Sequence, residues 1–528
     1  MAFRFLALTS LFFLSYGVLG YNLYDHQVLK RDYYFEKAEA RNDFKKELEL
    51  RRGQIFFTDR DGQSSAAAQN RDYPVVFASP NEIKDAASVA KLLSPIVGKD
   101  EEKLIVAFQN KGSFFYPLID KASEEQMKAV ESLELVGIHV NDKQYRFYPF
   151  NNLASHVLGF VGLNESNNVP TGLYGIERLK NDSLAEGEDM NLTIDANLQG
   201  EAEQVLKDLI REFNAVGGTV IIEEPETGKI LALASAPDFN PNSYSEYPVK
   251  NFLNPAVAGI YEPGSVFKVI TMASGIDLGV ITPETTYVDR GKVTLNGKTI
   301  ENWDKKAYGE ITMTNVLERS VNTGAVFAET QIGHKAFLEY IKKFGFGEVS
   351  GIDLPDEAIG SLRSLERKEV RDIDFATAAF GQGPAVTPIQ LINAYSVIAS
   401  GGVLMRPYIN ASEEPEVIRR VISEEAAREV TEMMESAVNK AEVAAIKGYR
   451  VAGKTGTAQI PDFEKGGYSD ELIHNFVGFA PASDPKFVIL IKIDKPDSPL
   501  AGLTVVPAFR KLAEFTLNYY HIAPDGVE

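Results

Sequence analysis

Cysteine is missing from all 528 residues, which excludes disulfides, thiolate nucleophiles and cysteine-ligated zinc. That absence fits a setting outside the cytoplasm without establishing it, since any chain can dispense with the residue. Histidine is scarce: His26, His139, His156, His334, His474 and His521 stand apart, with no HExxH pair. From such a set neither a metal centre nor another cofactor is expected. Basic residues are outnumbered, 54 Lys and Arg against 74 Asp and Glu, and the formal net charge of −20 has the wrong sign for a phosphate backbone. Nucleic acid is not an expected partner. Repeats and low-complexity tracts are also lacking. What remains is a chain with 44% hydrophobic residues, long enough for two or three domains with real cores.

One apolar run stands out. Residues 5–24, FLALTSLFFLSYGVLGYNLY, hold no charge and at ~1.5 Å per residue are about long enough to cross a bilayer. Arg4 precedes them and Tyr21 and Tyr24 close them, as an inside-facing charge and an interfacial belt would. A cleaved signal peptide would need Val18-Leu-Gly20 as its site, but the apolar run continues past it, so a retained anchor is expected. Residues 25–50 are charged and helix-prone, a stalk ending at Arg51-Arg-Gly53. From about 54 to 187, strand-like runs such as YPVVFAS and KLIVAFQN alternate with helical stretches such as NEIKDAASVAKLLSPIV and SEEQMKAVESL. A new unit starts near 190, where Asp195 is placed to cap a long amphipathic helix. Two β-rich runs around Pro225-Glu-Thr-Gly228 read as a hairpin, and a second group of strands after Gly453 leads to a last helix. Strands at both ends with a mostly helical middle predict an antiparallel sheet built from the two ends, with helices on its faces.

Three Ser-x-x-Lys pairs occur, and context separates them. Ser88 and Lys91 sit within an amphipathic segment running from Asn81, where serine reads as a solvated or back-bonded helix residue. In Ser483-Asp-Pro-Lys486 the proline blocks a helix, and the neighbours form a turn between strands. Ser265 differs. Pro263-Gly264 gives a sharp entry, and SVFKVITMASGIDLGV continues as an apolar helix ending at glycine, with Ser265 in the first turn and Lys268 stacked beside it. A first-turn serine lies near unpaired N–H groups that favour a developing oxyanion. Its hydroxyl needs a base, and an ammonium desolvated by Val, Phe, Ile and Met can titrate low enough to be one. Taken alone, the pair has a plainer alternative, in which Ser265 caps the helix and Lys268 snorkels to water.

Two further motifs bear on that choice. Ser320-Val-Asn322 shares its spacing with Ser79-Pro-Asn81 and Ser166-Asn-Asn168, but only Ser320 lies between Ser265 and the third motif. That motif, Lys454-Thr-Gly456-Thr457, falls on an expected strand. A lysine and two hydroxyls about a glycine suit recognition of a carboxylate and close approach of a ligand backbone. A polar edge strand is the alternative. In this order the three motifs match the S-x-x-K, S-x-N, K-T-G set of penicillin-recognising serine enzymes. The chain resembles the class B penicillin-binding proteins, monofunctional peptidoglycan D,D-transpeptidases, nearly end to end. Other carriers are Arg52-Gly-Gln-Ile55 with Asp59-Arg-Asp-Gly62, Arg146-Phe-Tyr-Pro149, His156-Val-Leu-Gly-Phe160, Gly172-Leu-Tyr-Gly-Ile-Glu177, ASAPDFNPN and FGQGPAVTPIQL. In one departure, Phe56-Phe-Thr58 stand where the family usually has a single residue, which puts the loop there in question.

The resemblance implies an α+β fold: a transpeptidase domain of antiparallel sheet flanked by helices, preceded by a mixed α/β pedestal and one N-terminal transmembrane helix. Residues 1–24 would be the anchor, 25–189 the stalk and pedestal, and 190–528 the transpeptidase domain. It implies Ser265 as nucleophile, Lys268 as base, Ser320 as proton relay and Asn322 as binder of the peptide amide. Lys454 would supply field and help the relay, while Thr455, Gly456 and Thr457 would bind the terminal carboxylate. The N–H groups of Ser265 and Thr457 would form the oxyanion hole. Implied partners are peptidoglycan stem peptides, β-lactams, and a membrane glycosyltransferase of the elongation or division machinery. The implied location is the bacterial cytoplasmic membrane, single-pass through residues 5–24, with the catalytic domain outside. A β-lactamase or D,D-carboxypeptidase with the same motifs, and a non-catalytic β-lactam sensor or scaffold, are the alternatives.

Overall fold

The computed structural model describes residues 2–31, 52–164, 169–462 and 465–526. Most of the expected stalk, residues 32–51, and the Ser166-Asn-Asn168 tripeptide lie outside these. The N-terminal helix spans Ala2–Tyr24, with large apolar side chains such as Phe5, Leu11, Phe13 and Leu19 exposed. Among the described residues no helix is long and apolar enough to cross a membrane, so the expected span over 5–24 is not borne out as a span. Thr9, Ser10, Ser15, Gly17, Gly20 and Asn22 dilute the apolar run.

The chain divides into two compact units, residues up to 52 with 70–147, and 53–69 with 148–528. In the first, helices Ala86–Val97, Glu101–Gln109 and Glu124–Glu131 share a core with Val76, Leu118 and their neighbours. KLIVAFQN, expected as a strand, lies in the second of these helices. Asp100 caps it by accepting from the N–H of Glu102 and Lys103, and Leu104 and Phe108, four apart, are buried on one face. The cap outweighs the β-prone Ile105-Val106 pair. The first helix starts at Ala86, because Asp85 caps it and also takes the Ser88 hydroxyl at 2.7 Å; the segment therefore begins later than Asn81.

In the second unit, Ile55–Thr58 form one strand with a bulge between Ile55 and Phe56. The three residues that stand where the family usually has one thus extend a strand and make no loop. The central sheet runs Ala452–Pro461, Tyr468–Ala480, Phe487–Asp494, Gly217–Glu223, Ile230–Ala236, antiparallel throughout, as strands from both ends predict. Gly228, at φ 83°, turns the hairpin between the last two. Asp195 caps helix Ala196–Phe213 through the N–H of Asn197 and Leu198. That helix and Val505–Tyr519 share one core with Val220, Ile222, Ile489 and Ile491. The intervening residues Ile221, Val488 and Leu490 belong to a second core with helices Lys268–Asp277, Pro388–Ala399 and Glu424–Ala441. Both sheet faces are covered, which is why the runs Val220-Ile-Ile222 and Phe487-Val-Ile-Leu-Ile491 are apolar at successive positions.

Candidate active site

Pro263-Gly264 makes the sharp entry, but the regular α-helix begins only at Lys268. Gly264–Phe267 form a 3-10 turn that holds Ser265. Gly264 has φ 67°, open to glycine at little cost, and its N–H donates to Gly381 O at 3.0 Å. In the same turn the Tyr395 hydroxyl donates to Val266 O at 2.7 Å. Ser265 caps nothing, and Lys268 is fully buried at 0% exposure; the plainer alternative of a capping serine and a snorkelling lysine does not hold here.

Lys268 Nζ lies 3.0 Å from Ser265 Oγ, 2.6 Å from Ser320 O, 3.1 Å from Ser320 Oγ and 2.8 Å from Asn322 Oδ1. Ser320 reaches it because it ends helix Met313–Arg319 in the left-handed region, φ 55°, before helix Asn322–Ile332 begins. Asn322 is held by its Nδ2 donating to Glu301 O at 2.9 Å. Lys454 Nζ approaches Ser320 Oγ from the other side at 3.1 Å, and it also lies 3.2 Å from Thr455 O and 3.4 Å from Thr455 Oγ1. Ser265, Lys268, Ser320, Asn322 and Lys454 thus meet in one polar cluster. The other two Ser-x-x-Lys pairs are elsewhere: Ser88 is bound to its helix cap and Ser483 to Asp525.

Both lysines are in poor surroundings for a charge. Burial, reinforced by Lys454, holds the Lys268 ammonium well below its usual range. Lys454, 4% exposed, is pushed down to about 7 by burial. The strand that carries Lys454, Ala452–Pro461, is an edge of the sheet. Lys454 and Gly456 are buried on it, Thr455 is half-buried and Thr457 exposed. The edge lies against the serine turn: a Cβ on Gly264 would stand 3.2 Å from Thr457 O. Behind Thr457, His474 is its ladder partner, and burial pushes the imidazole down to about 4, so it stays neutral. The supports Glu301 and Tyr395 were not singled out in the sequence. Only Gly381 carried a signal, as part of FGQGPAVTPIQL.

The chain is similar to known proteins over most of its length. Residues 218–514 match the penicillin binding protein transpeptidase domain, and 48–231 the penicillin-binding protein dimerisation domain. Stage V sporulation protein D of Bacillus subtilis is 32% identical over 526 residues, covering 90% of this chain and 79% of that protein. Peptidoglycan D,D-transpeptidase FtsI of Escherichia coli is 29% identical over 538 residues, 95% and 89%. A peptidoglycan synthetase from Bifidobacterium adolescentis superposes with a TM-score of 0.70 at 25% identity, over 91% of this chain and 97% of that one. Penicillin binding protein 3 from Mycobacterium tuberculosis does so at 0.67 and 26%, over 72% and 92%.

Proposed function

Since the chain belongs to the class B penicillin-binding proteins and is a serine-type peptidoglycan D,D-transpeptidase, we propose that Ser265 is its nucleophile and Lys268 the base that activates it. The observation that carries this reading is the fully buried Lys268, its Nζ 3.0 Å from Ser265 Oγ. A neutral amine has two N–H donors and one lone pair. Ser320 O and Asn322 Oδ1, at 2.6 and 2.8 Å, take the two N–H, which leaves the lone pair for the Ser265 proton.

Ser265 Oγ then bonds to the carbonyl carbon between the two terminal D-alanines of a stem peptide, and the π electrons move onto oxygen. The N–H groups of Ser265 and Thr457 receive that oxyanion. Collapse breaks the C–N bond, and the leaving amine takes a proton through Ser320, whose Oγ is 3.1 Å from each lysine. One D-alanine departs and the acyl-enzyme remains. An amine of a neighbouring stem peptide attacks the ester, forms the cross-link and returns a proton to Ser265. Asn322 binds the peptide amide and Lys454 supplies positive field and helps the relay. Thr455 and Thr457 hold the terminal carboxylate, and Gly456 lets the ligand come close. A β-lactam follows the first half and stops at the acyl stage.

The same reading assigns chemistry to residues 190–528 and partner contacts to 25–189, with a membrane glycosyltransferase as the partner. Residues 5–24 would hold the enzyme at the outer face of the bacterial cytoplasmic membrane. The test is intact-protein mass after incubating the full-length chain with a penicillin, alongside Ser265→Ala. A long-lived adduct of the drug's mass on wild type alone is expected. Rapid hydrolysis without an adduct would point to a β-lactamase, and an adduct on Ser265→Ala would sink the assignment of the nucleophile.

A further inference from the structure

The turn that holds Ser265 is tied to the sheet by a residue outside all three motifs. Asn475 lies on strand Tyr468–Ala480, directly across the antiparallel ladder from Gly456. It is fully buried, and its Nδ2 donates to Pro263 O at 3.0 Å, two residues before Ser265. To make that bond its side chain passes through the space a side chain at 456 would fill. A Cβ there would stand 2.1 Å from Asn475 Oδ1 and 2.9 Å from Pro263 O. Gly456 therefore does more than admit a ligand: its missing side chain is the opening through which the second strand reaches the nucleophile's turn. The amide's other end, Oδ1, is buried without a hydrogen-bond partner. An unmatched buried acceptor is unfavourable, and an apolar side chain of the same shape would avoid it. What the amide supplies that an apolar residue cannot is the donor to Pro263.

We propose that Asn475 is a positioning residue for the oxyanion hole. By fixing the Pro263 carbonyl against Gly456, it sets the separation between the Ser265 N–H on the turn and the Thr457 N–H on the strand. The inference rests on the assignment of those two N–H groups as the oxyanion donors. Gly381 and Tyr395 hold the same turn from the helical side, so losing Asn475 frees one side of the turn and leaves the rest attached. Oxyanion donors act only when they point at where charge develops, and a misplacement of about 1 Å costs on the order of 100-fold in rate. Binding of the ground state does not depend on that alignment.

The test uses full-length Asn475→Leu, which keeps the branched four-atom outline without the donor, and Asn475→Ala, which leaves a gap. Stopped-flow acylation by a chromogenic cephalosporin separates the non-covalent dissociation constant from the limiting acylation rate. Affinity for a boronic acid that adds to the serine reports the tetrahedral state directly. The limiting rate is expected to fall about 10- to 100-fold, with boronate affinity falling in step, while the dissociation constant stays within about threefold. A limiting rate within about threefold of wild type in either folded variant overturns the proposal. So does a dissociation constant that weakens as much as the rate, or a loss matching only the unfolded fraction seen by circular dichroism. Wild type and Ser265→Ala run beside them: if wild type is not acylated, the reading of the site fails first, whereas normal controls with active Asn475 variants refute this inference alone.

Discussion

Lys454 shows how the site's chemistry opposes its stability. Its folded-state pKa is about 7 against an ordinary 10.5, because burial penalises the ammonium. Between those values the unfolded chain binds a proton that the native chain lacks, so this group's contribution to stability rises with pH across that window. Below about pH 7 the whole penalty applies, on the order of 5 kcal/mol. Lys454→Met removes the cation and keeps most of the volume. Its melting temperature near pH 7 is expected to exceed wild type by about 2–5 °C, and the rise in wild-type stability between pH 7 and 10 should flatten in the variant. Acylation should fall at least about 100-fold. Calorimetry across pH checks this, and a lower melting temperature at pH 7 would show that the lysine's contacts to Ser320 and Thr455 outweigh its desolvation. Lys268 adds a kinetic counterpart. As the proposed base it must be neutral to act, so acylation by wild type should increase with pH along a limb centred well below the ordinary lysine range. Loss of the Lys454 charge, which holds Lys268 down, should move the limb of any residual activity to higher pH. A limb that stays in place in Lys454→Met would show that the two ammonium groups are not coupled.

Elements place these residues through a few close backbone approaches. Gly381, at φ 80°, is one of them: a Cβ there would stand 2.2 Å from Gly264 O, in the turn that carries Ser265. Gly333 has nearly the same φ, 81°, but nothing lies within 4 Å of where its Cβ would be. Alanine at Gly333 meets backbone strain alone and should lower stability by about 1–2 kcal/mol with acylation unchanged. Gly381→Ala adds the steric displacement of the nucleophile's turn and should lower the acylation rate about 100-fold or more. Comparing penicillin acylation with melting temperature in the two variants separates the effects; equal acylation losses would refute the displacement argument. The same scale shows what was legible in sequence. The sheet from the two chain ends, the Asp195 cap and the hairpin at Gly228 were readable because each has a local signature. KLIVAFQN was misread because the cap at Asp100 decides it and composition does not. Ser265, Lys268, Ser320, Asn322 and Lys454 were readable as motifs, and the fold brings them together. The 3-10 turn that seats Ser265, and the Asn475 contact through Gly456, depend on packing between segments more than 100 residues apart, which no local pattern encodes.

For the molecule as a whole, the net charge of −20 makes attraction to an anionic membrane surface unfavourable. Any attachment has to come from apolar contact, and helix Ala2–Tyr24 is where such contact is available. Its 23 residues reach about 34 Å at ~1.5 Å each, against a hydrocarbon core of about 30 Å. Hydroxyls dilute its apolarity, but two of them are already satisfied within the helix. Thr9 Oγ1 donates to Phe5 O at 2.7 Å and Ser15 Oγ to Leu11 O at 2.9 Å, so neither brings an unpaired donor into lipid. The exposed Phe, Leu and Tyr side chains are more stable in hydrocarbon than in water, by about 25 cal/mol for each Å² transferred. Full-length protein is therefore expected to co-sediment with vesicles containing anionic lipid and to stay bound at 1 M salt, where surface electrostatics are screened to within about 3 Å. Removal of residues 1–24 should leave the protein in the supernatant. Resistance to alkaline carbonate would favour insertion across the bilayer, and release by carbonate alone an interfacial helix. Release by salt, or vesicle binding that survives the deletion, would place the attachment elsewhere and refute the role given to this helix.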